Sequence, residues 1–269
     1  MNFLILAAGR SGSTMLVNCL SSHPNVLCHH EPFNNNGWHK QIRNCPNALD
    51  ALNHLDNNGL SISLTSKLVS LVQKELRLHR GRIIIDPFKN RNAISSEGFK
   101  ITWAQSNTMF DSMKEWISQK EKMKLIFLYR HDVLARFVSY QFANMSGIWN
   151  SSRKNYSYKP FKISTVSFKQ FCDSEIKLES KMLEMISSSN TDVSFMAYED
   201  LVSDPLKTTN MGLNFLGYNN ISHLNIVTTK VIATPIRELI INFDELKSDV
   251  VNNSLQESRD RWKQRIENR

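Results

Sequence analysis

The chain has 269 residues, 41% of them hydrophobic and 22% charged, with 14 Phe and 5 Trp. That balance excludes a disordered or collagen-like chain and is long enough to bury a large core without disulfides or metals. Lys and Arg outnumber Asp and Glu 33 to 25, a formal charge of +8, which favours an anionic partner without naming it.

The first residues, MNFLILAAGR, form an apolar run shorter than the core of a signal peptide. No stretch reaches the roughly 20 apolar residues of a spanning helix. The expectation is a natural start at Met1 and a cytoplasmic protein. Cys19, Cys28, Cys45 and Cys172 form no C-x-x-C pair, and Cys19 reads as a small buried hydrophobe. A zinc site built from Cys28, His29, His30 and Cys45 is disfavoured, because adjacent strand residues point to opposite faces. No metal is expected. The sequons at Asn144 and Asn150 read as chance matches in an Asn-rich chain.

Along the chain, nearly continuous apolar runs at Phe3–Ala8, Arg82–Asp86, Lys124–Tyr129 and Val193–Ala197 predict strands buried on both faces, with weaker candidates at Val26–Cys28 and Phe99–Thr102. Amphipathic helices fall between them. Leu16, Cys19 and Leu20 share one face, as do Leu134, Phe137, Val138 and Phe142. Ser167 and Gln170 read as a capping box opening a helix that carries Phe168, Phe171 and Cys172. Asp204-Pro205 reads as N-cap and first helical residue of a helix ending at Gly217. Strands alternating with helices imply an α/β fold with a central parallel sheet flanked by helices, in a single domain over residues 1–269.

The first strand–loop–helix, FLILAAGRSGSTMLVNCL, carries the strongest functional signal. Small residues let the backbone wrap an anion, which the loop N–H groups and the positive end of the helix then hold. Ser13 and Thr14 add hydroxyls and Arg10 a guanidinium fork. Aligned with a Walker A loop, Ser13 stands where the lysine that reaches the β- and γ-phosphates belongs, so NTP hydrolysis and nucleotide-kinase chemistry are disfavoured.

RSGST after the first strand, followed by HPNVLCHHEPF, resembles the phosphosulfate-binding loop of sulfotransferases, closest to bacterial carbohydrate enzymes of the nodulation-factor and trehalolipid type. Residues 124–143, 195–217 and 234–246 carry further islands of similarity. The resemblance implies a three-layer fold like that of P-loop NTPases and 3′-phosphoadenosine 5′-phosphosulfate (PAPS) as sulfuryl donor. It implies donor contacts from Arg10, Ser11, Gly12, Ser13 and Thr14, and a 3′-phosphate held by Arg130 and Ser139. Their separation is one residue wider than is usual in the family, and His131 stands beside Arg130 as the alternative. Glu31 in HHEPF matches a proposed catalytic glutamate, with His29 and His30 as alternative bases, and Arg10 is the second expected catalytic residue. Tyr198, Glu199 and Asp200 read as structural. Lys230 and Lys100 in GFKITW are further candidates for the site, each with a solvated lysine as the preferred reading.

The expected reaction is in-line sulfuryl transfer from PAPS to a hydroxyl of a carbohydrate or glycolipid. A glycolipid would bring peripheral membrane contact, and nucleic acid is not an expected partner. Two other classes compete: a P-loop kinase or NTPase with a degenerate loop, and a non-catalytic polyanion-binding protein. The acceptor pocket is expected from residues 34–80 and 144–165.

Overall fold

The computed structural model describes residues 1–33, 42–58, 93–147, 149, 159–224, 234–246 and 248–267. The strand predicted at Arg82–Asp86, Lys230, and most of the segments expected to shape the acceptor pocket lie outside the described residues.

Five strands, β1 (Phe3–Ala7), β2 (Val26–His29), β3 (Ser96–Thr102), β4 (Lys124–Tyr129) and β5 (Asp192–Ala197), form an all-parallel sheet in the order β2-β3-β1-β4-β5. Central β1 is fully buried, which is why it reads as an unbroken apolar run. Its residues alternate between two cores. Leu4 and Leu6 face a cluster with Phe99, Ile101, Leu125 and Phe127, whereas Phe3, Ile5 and Ala7 join Val26, Cys28, Ile126 and Leu128 on the other side.

Helices close both faces. The first is covered by α2 (Ala48–Asn58), α3 (Trp103–Thr108), α4 (Phe110–Ser118) and α6 (Thr165–Ser187), through residues such as Leu52, Trp103, Trp116 and Leu183. The second is covered by α1 (Ser13–Leu20), α7 (Tyr198–Ser203) and α8 (Pro205–Leu216), through Leu16, Leu20, Leu201 and Leu213. Each such buried side chain contributes about 1.5–3 kcal/mol. The predicted stripe Leu134, Phe137, Val138 and Phe142 on α5 (Val133–Ser146) forms a third cluster with Phe168 and Cys172 of α6 and with Leu239 of α9 (Ile236–Leu239). The chain closes in α10 (Ser248–Glu267).

Asp204 caps α8 by accepting from the Lys207 N–H at 3.0 Å, with Pro205 next, and Gly217 ends the helix with left-handed backbone. The start of α6 differs from the sequence expectation. Ser164, not Ser167, is the N-cap and accepts from the Ser167 N–H at 3.3 Å. The helix therefore begins three residues earlier, at Thr165, and Phe168 and Cys172 are buried on it.

The sheet order puts β1 at the centre, with β3 and β4 on its flanks. The segments leaving the C-terminal ends of these three strands therefore meet at one edge, where open parallel sheets bind ligands.

Candidate active site

The loop from Ala8 to Gly12 joins β1 to α1, and its carbonyls are drawn inward. The Ala8 oxygen accepts from the Ser11 N–H at 3.3 Å and the Ser11 hydroxyl at 2.6 Å. The Gly9 oxygen accepts from Arg136 Nε at 3.1 Å, and the Arg10 oxygen from Arg130 Nη1 at 3.4 Å. Arg10 and Gly12 both adopt left-handed backbone, with φ of +63° and +75°. For Gly12 no other residue serves, since a Cβ there would lie 2.6 Å from the Tyr198 ring. Because the peptides are trans, the inward Ala8 and Gly9 carbonyls leave the Gly9 and Arg10 N–H groups aimed the other way, as in an anion-binding nest, while the Ser11 N–H is taken by the Ala8 oxygen.

Side chains gather around this loop. Arg10 Nε donates to Ser139 Oγ at 3.0 Å, and its Nη1 donates to the Trp149 carbonyl. Burial and the neighbouring charge of Arg130 push the Arg10 guanidinium down to about 10, still cationic at neutral pH. Arg130 lies with its guanidinium 4.3 Å from the centre of the Tyr198 ring. Its buried Nε is 3.9 Å from Glu199, beyond hydrogen-bond reach. Glu199 itself accepts from the backbone N–H groups of His131 and Asp132 at 3.1 and 3.3 Å, so it fixes the turn that presents Arg130. His131 turns instead to the edge of Tyr129. Of the two candidates, Arg130 faces the loop.

Glu31, just beyond β2, is bound on both carboxylate oxygens. Lys100 Nζ is 2.7 Å from Oε1, and Gln105 Nε2 donates to Oε2 at 3.0 Å. Lys100 also donates to Thr14 Oγ1 at 3.3 Å, tying Glu31 to the first turn of α1. Burial works to raise the Glu31 carboxyl, but Lys100 first and Gln105 next hold it below the usual carboxylate value. Burial, reinforced by Lys100, pushes His30 down to about 3 and keeps it neutral; its Nε2 is buried without a hydrogen-bond partner among the described residues. His29 points elsewhere, pairing with Glu97 at 2.5 Å.

A family model described as "Sulfotransferase family" matches residues 2–221. The chain belongs to the sulfotransferase family. Its fold is similar to solved bacterial sulfotransferases at low identity. One is a sulfotransferase from Alicyclobacillus acidocaldarius (12% identity, 88% of this chain and 87% of that one, TM-score 0.42). Another is the sulfotransferase domain of the curacin biosynthetic pathway (15%, 94% and 89%, 0.48). A third is the sulfotransferase domain of the Synechococcus PCC 7002 olefin synthase (19%, 92% and 83%, 0.41). No curated protein matches in sequence.

In this sulfotransferase, Arg10, Gly12, Thr14, Glu31, Arg130 and Ser139 all meet at the C-terminal edge of the sheet. Ser139, expected with Arg130 at the 3′-phosphate, accepts a hydrogen bond from Arg10 at 3.0 Å. Ser11 is fully buried, with its hydroxyl donating to the Ala8 carbonyl within the turn. Ser13 is buried at the start of α1. Among the described residues no group of three His, Cys, Asp or Glu stands together as a metal site. All four cysteines are free, and burial raises Cys19 and Cys172 to about 11.

Sequence reasoning named Lys100 only as a lesser candidate, preferring a solvated lysine, and missed Gln105 and Arg136. Lys100 is 2% exposed rather than solvated, because β3 lies between β2 and β1 and its ammonium is drawn to Glu31 and Thr14. A lone lysine between Phe99 and Ile101 in a strand candidate was the available signal. Gln105 belongs to a capping box with Thr102 at the start of α3, legible as T-x-x-Q.

Proposed function

We propose that this sulfotransferase, acting as one domain, moves the sulfuryl group of PAPS to a hydroxyl of a carbohydrate or glycolipid. The observation that carries the reading is the joined cluster at one loop: Arg10 bonded to Ser139, Arg130 behind it, and Lys100 bridging Thr14 to Glu31. Three cations beside inward-drawn carbonyls suit a donor with a phosphosulfate and a 3′-phosphate. The carbohydrate or glycolipid acceptor rests on the sequence resemblance at HHEPF and the later islands. Among the described residues no helix is long and apolar enough to cross a membrane. We place the enzyme in the cytoplasm, meeting a glycolipid by peripheral contact.

In this reading Glu31 takes the acceptor hydroxyl proton. The acceptor oxygen–sulfur bond forms while the sulfur–oxygen bond to the 5′-phosphate breaks, and the electron pair departs with adenosine 3′,5′-bisphosphate. A carboxylate held below its usual pKa is a weak base but a fully ionised one. That suffices, because the hydroxyl becomes acidic only as its oxygen bonds to sulfur. Lys100 keeps Glu31 ionised and adds positive charge beside Thr14, while Arg10 and the loop N–H groups offset charge on the departing oxygen. Arg130 and Ser139 hold the 3′-phosphate. Glu31, tied through Lys100 to Thr14 at the loop, is favoured over His30, whose Nε2 is buried without a hydrogen-bond partner among the described residues.

The test is transfer from radiolabelled PAPS to a panel of sugars and glycolipids, with adenosine 3′,5′-bisphosphate and ATP compared as thermal stabilisers. Glu31→Gln is expected to keep the bisphosphate-induced rise in melting temperature and to lose about 10²–10⁴ in turnover. Stabilisation by ATP equal to that by the bisphosphate would overturn the donor assignment. Unchanged turnover in Glu31→Gln would remove the base.

A further inference from the structure

Arg136, on α5, is 1% exposed and reaches no surface on which a ligand could sit. Its Nε donates to the Gly9 carbonyl at 3.1 Å, and its Nη2 pairs with Glu175 at 2.6 Å. Its guanidinium carbon lies 5.5 Å from the Trp103 ring centre and 5.8 Å from that of Phe171. Nη1 is buried without a hydrogen-bond partner among the described residues. A whole cation is thus buried under the backbone of the residue that precedes Arg10. Burying a charge this deeply is costly unless it is paired and hydrogen-bonded, and one of its bonds goes to the loop.

The consequence is geometric. The Gly9–Arg10 peptide is trans, so fixing its oxygen toward Arg136 turns the Arg10 N–H toward the opposite, ligand side. Arg10 itself sits at φ +63°, a region that residues other than glycine enter at a cost of roughly 1–2 kcal/mol. That conformation persists only where the surroundings enforce it. Arg130 on the Arg10 carbonyl and Arg136 on the Gly9 carbonyl grip two consecutive peptides from two different points of the fold.

We infer that Arg136 is a positioning residue for the anion loop: it sets the orientation of the Gly9–Arg10 peptide, and with it the aim of the Arg10 N–H and guanidinium, without touching the ligand. Its buried charge also makes the loop more attractive to anions from beneath. The inference rests on the reading of this loop as the donor site.

The test compares Arg136→Met, Arg136→Lys and Glu175→Gln. Arg136→Met removes both bonds. Arg136→Lys keeps the charge but replaces the planar fork, whose Nε and Nη2 meet Gly9 and Glu175 as two separate nitrogens, with one ammonium on a shorter side chain that loses this two-point geometry. Glu175→Gln spares the Gly9 contact while weakening the other. Adenosine 3′,5′-bisphosphate and, separately, inorganic sulfate are titrated calorimetrically, and donor and acceptor KM are measured. We expect both Arg136 variants to raise the dissociation constant for each anion by at least about tenfold, and donor KM with it, while acceptor KM stays within about twofold. Glu175→Gln is expected to lower the melting temperature yet bind both anions within about twofold of wild type. Anion affinities in Arg136→Lys equal to wild type would overturn the inference. So would losses in all three variants that simply track their melting temperatures. Should Arg136→Met not fold, Arg136→Lys carries the comparison. Wild type that binds sulfate but not the bisphosphate would remove the donor assignment instead, and the sulfate titrations would still judge Arg136.

Discussion

Lys100 and Glu31 form the contact on which the chemistry turns, and their titration gives it a measurable signature. Burial alone would raise the Glu31 carboxyl, but Lys100, with help from Gln105, lowers it below the ordinary carboxylate value. A carboxyl lowered in the folded state stabilises the fold above its unfolded pKa, and that contribution is lost as pH falls through the lower, folded value. The acidic limb of kcat should therefore lie below the ordinary carboxylate range. No inflection should come from His30 near pH 6.5, since that ring is neutral down to about 3. Lys100→Met removes the compensating cation and leaves the burial. The acidic limb should then move upward, and kcat at neutral pH should fall by about 10²-fold. A pH–rate profile of the two proteins checks this; a limb that stays in place would separate Lys100 from the ionisation of Glu31.

Helices and loops set how much of this was legible in advance. β1, β4, β5, the αL-capped α8 and the anion loop follow from local pattern: apolar runs, Asp-Pro at a helix start, glycines where φ is positive. Glu31, Arg130 and Ser139 were legible through the resemblance of short motifs. Lys100 was only a lesser candidate read as solvated, because its burial comes from β3 lying between β2 and β1 with Glu31 and Thr14 at its ammonium, and those neighbours are distant in sequence. Arg136 was hidden for a similar reason: it sits on a helix face whose neighbour, the Gly9 carbonyl, is 127 residues away in sequence. Gly12 joins the two kinds of information. Its positive φ is local, but the closeness of the Tyr198 ring is tertiary. Gly12→Ala combines left-handed strain of about 1 kcal/mol or more with overpacking of about 1–3 kcal/mol. Because Tyr198 also lies against Arg130, the displaced ring should weaken bisphosphate binding as well as stability. Thermal melts with and without the nucleotide check both effects; an unshifted melting temperature would place the ring elsewhere in solution.

Across the whole molecule, α6 links the site to the C-terminal helix. Glu175 holds Arg136, and one turn later Glu179 takes a bidentate pair from Arg259 of α10, at 2.5 and 2.7 Å. Arg259 and Glu179 are 0% and 1% exposed in their side chains. The Arg259 guanidinium also lies 4.3 Å from the ring centre of Tyr129, the residue that ends β4 immediately before Arg130. Thus α10, which lies beyond the family match ending at residue 221, packs under the strand that delivers a cation to the site. A buried pair adds little over a hydrophobic replacement, but breaking one side leaves a stranded charge. Burial already raises the Glu179 carboxyl despite its partner, so the stranded acid would be protonated more readily still. Arg259→Met should therefore cost about 3–5 kcal/mol, while Arg259→Met combined with Glu179→Leu should recover most of that loss. Urea unfolding checks the pair of variants through the transition midpoint at unchanged slope. The cost of the single variant should also ease at lower pH, where Glu179 takes up a proton. Equal losses in the single and double variants would mean that packing against Tyr129, rather than the ion pair, is what anchors α10.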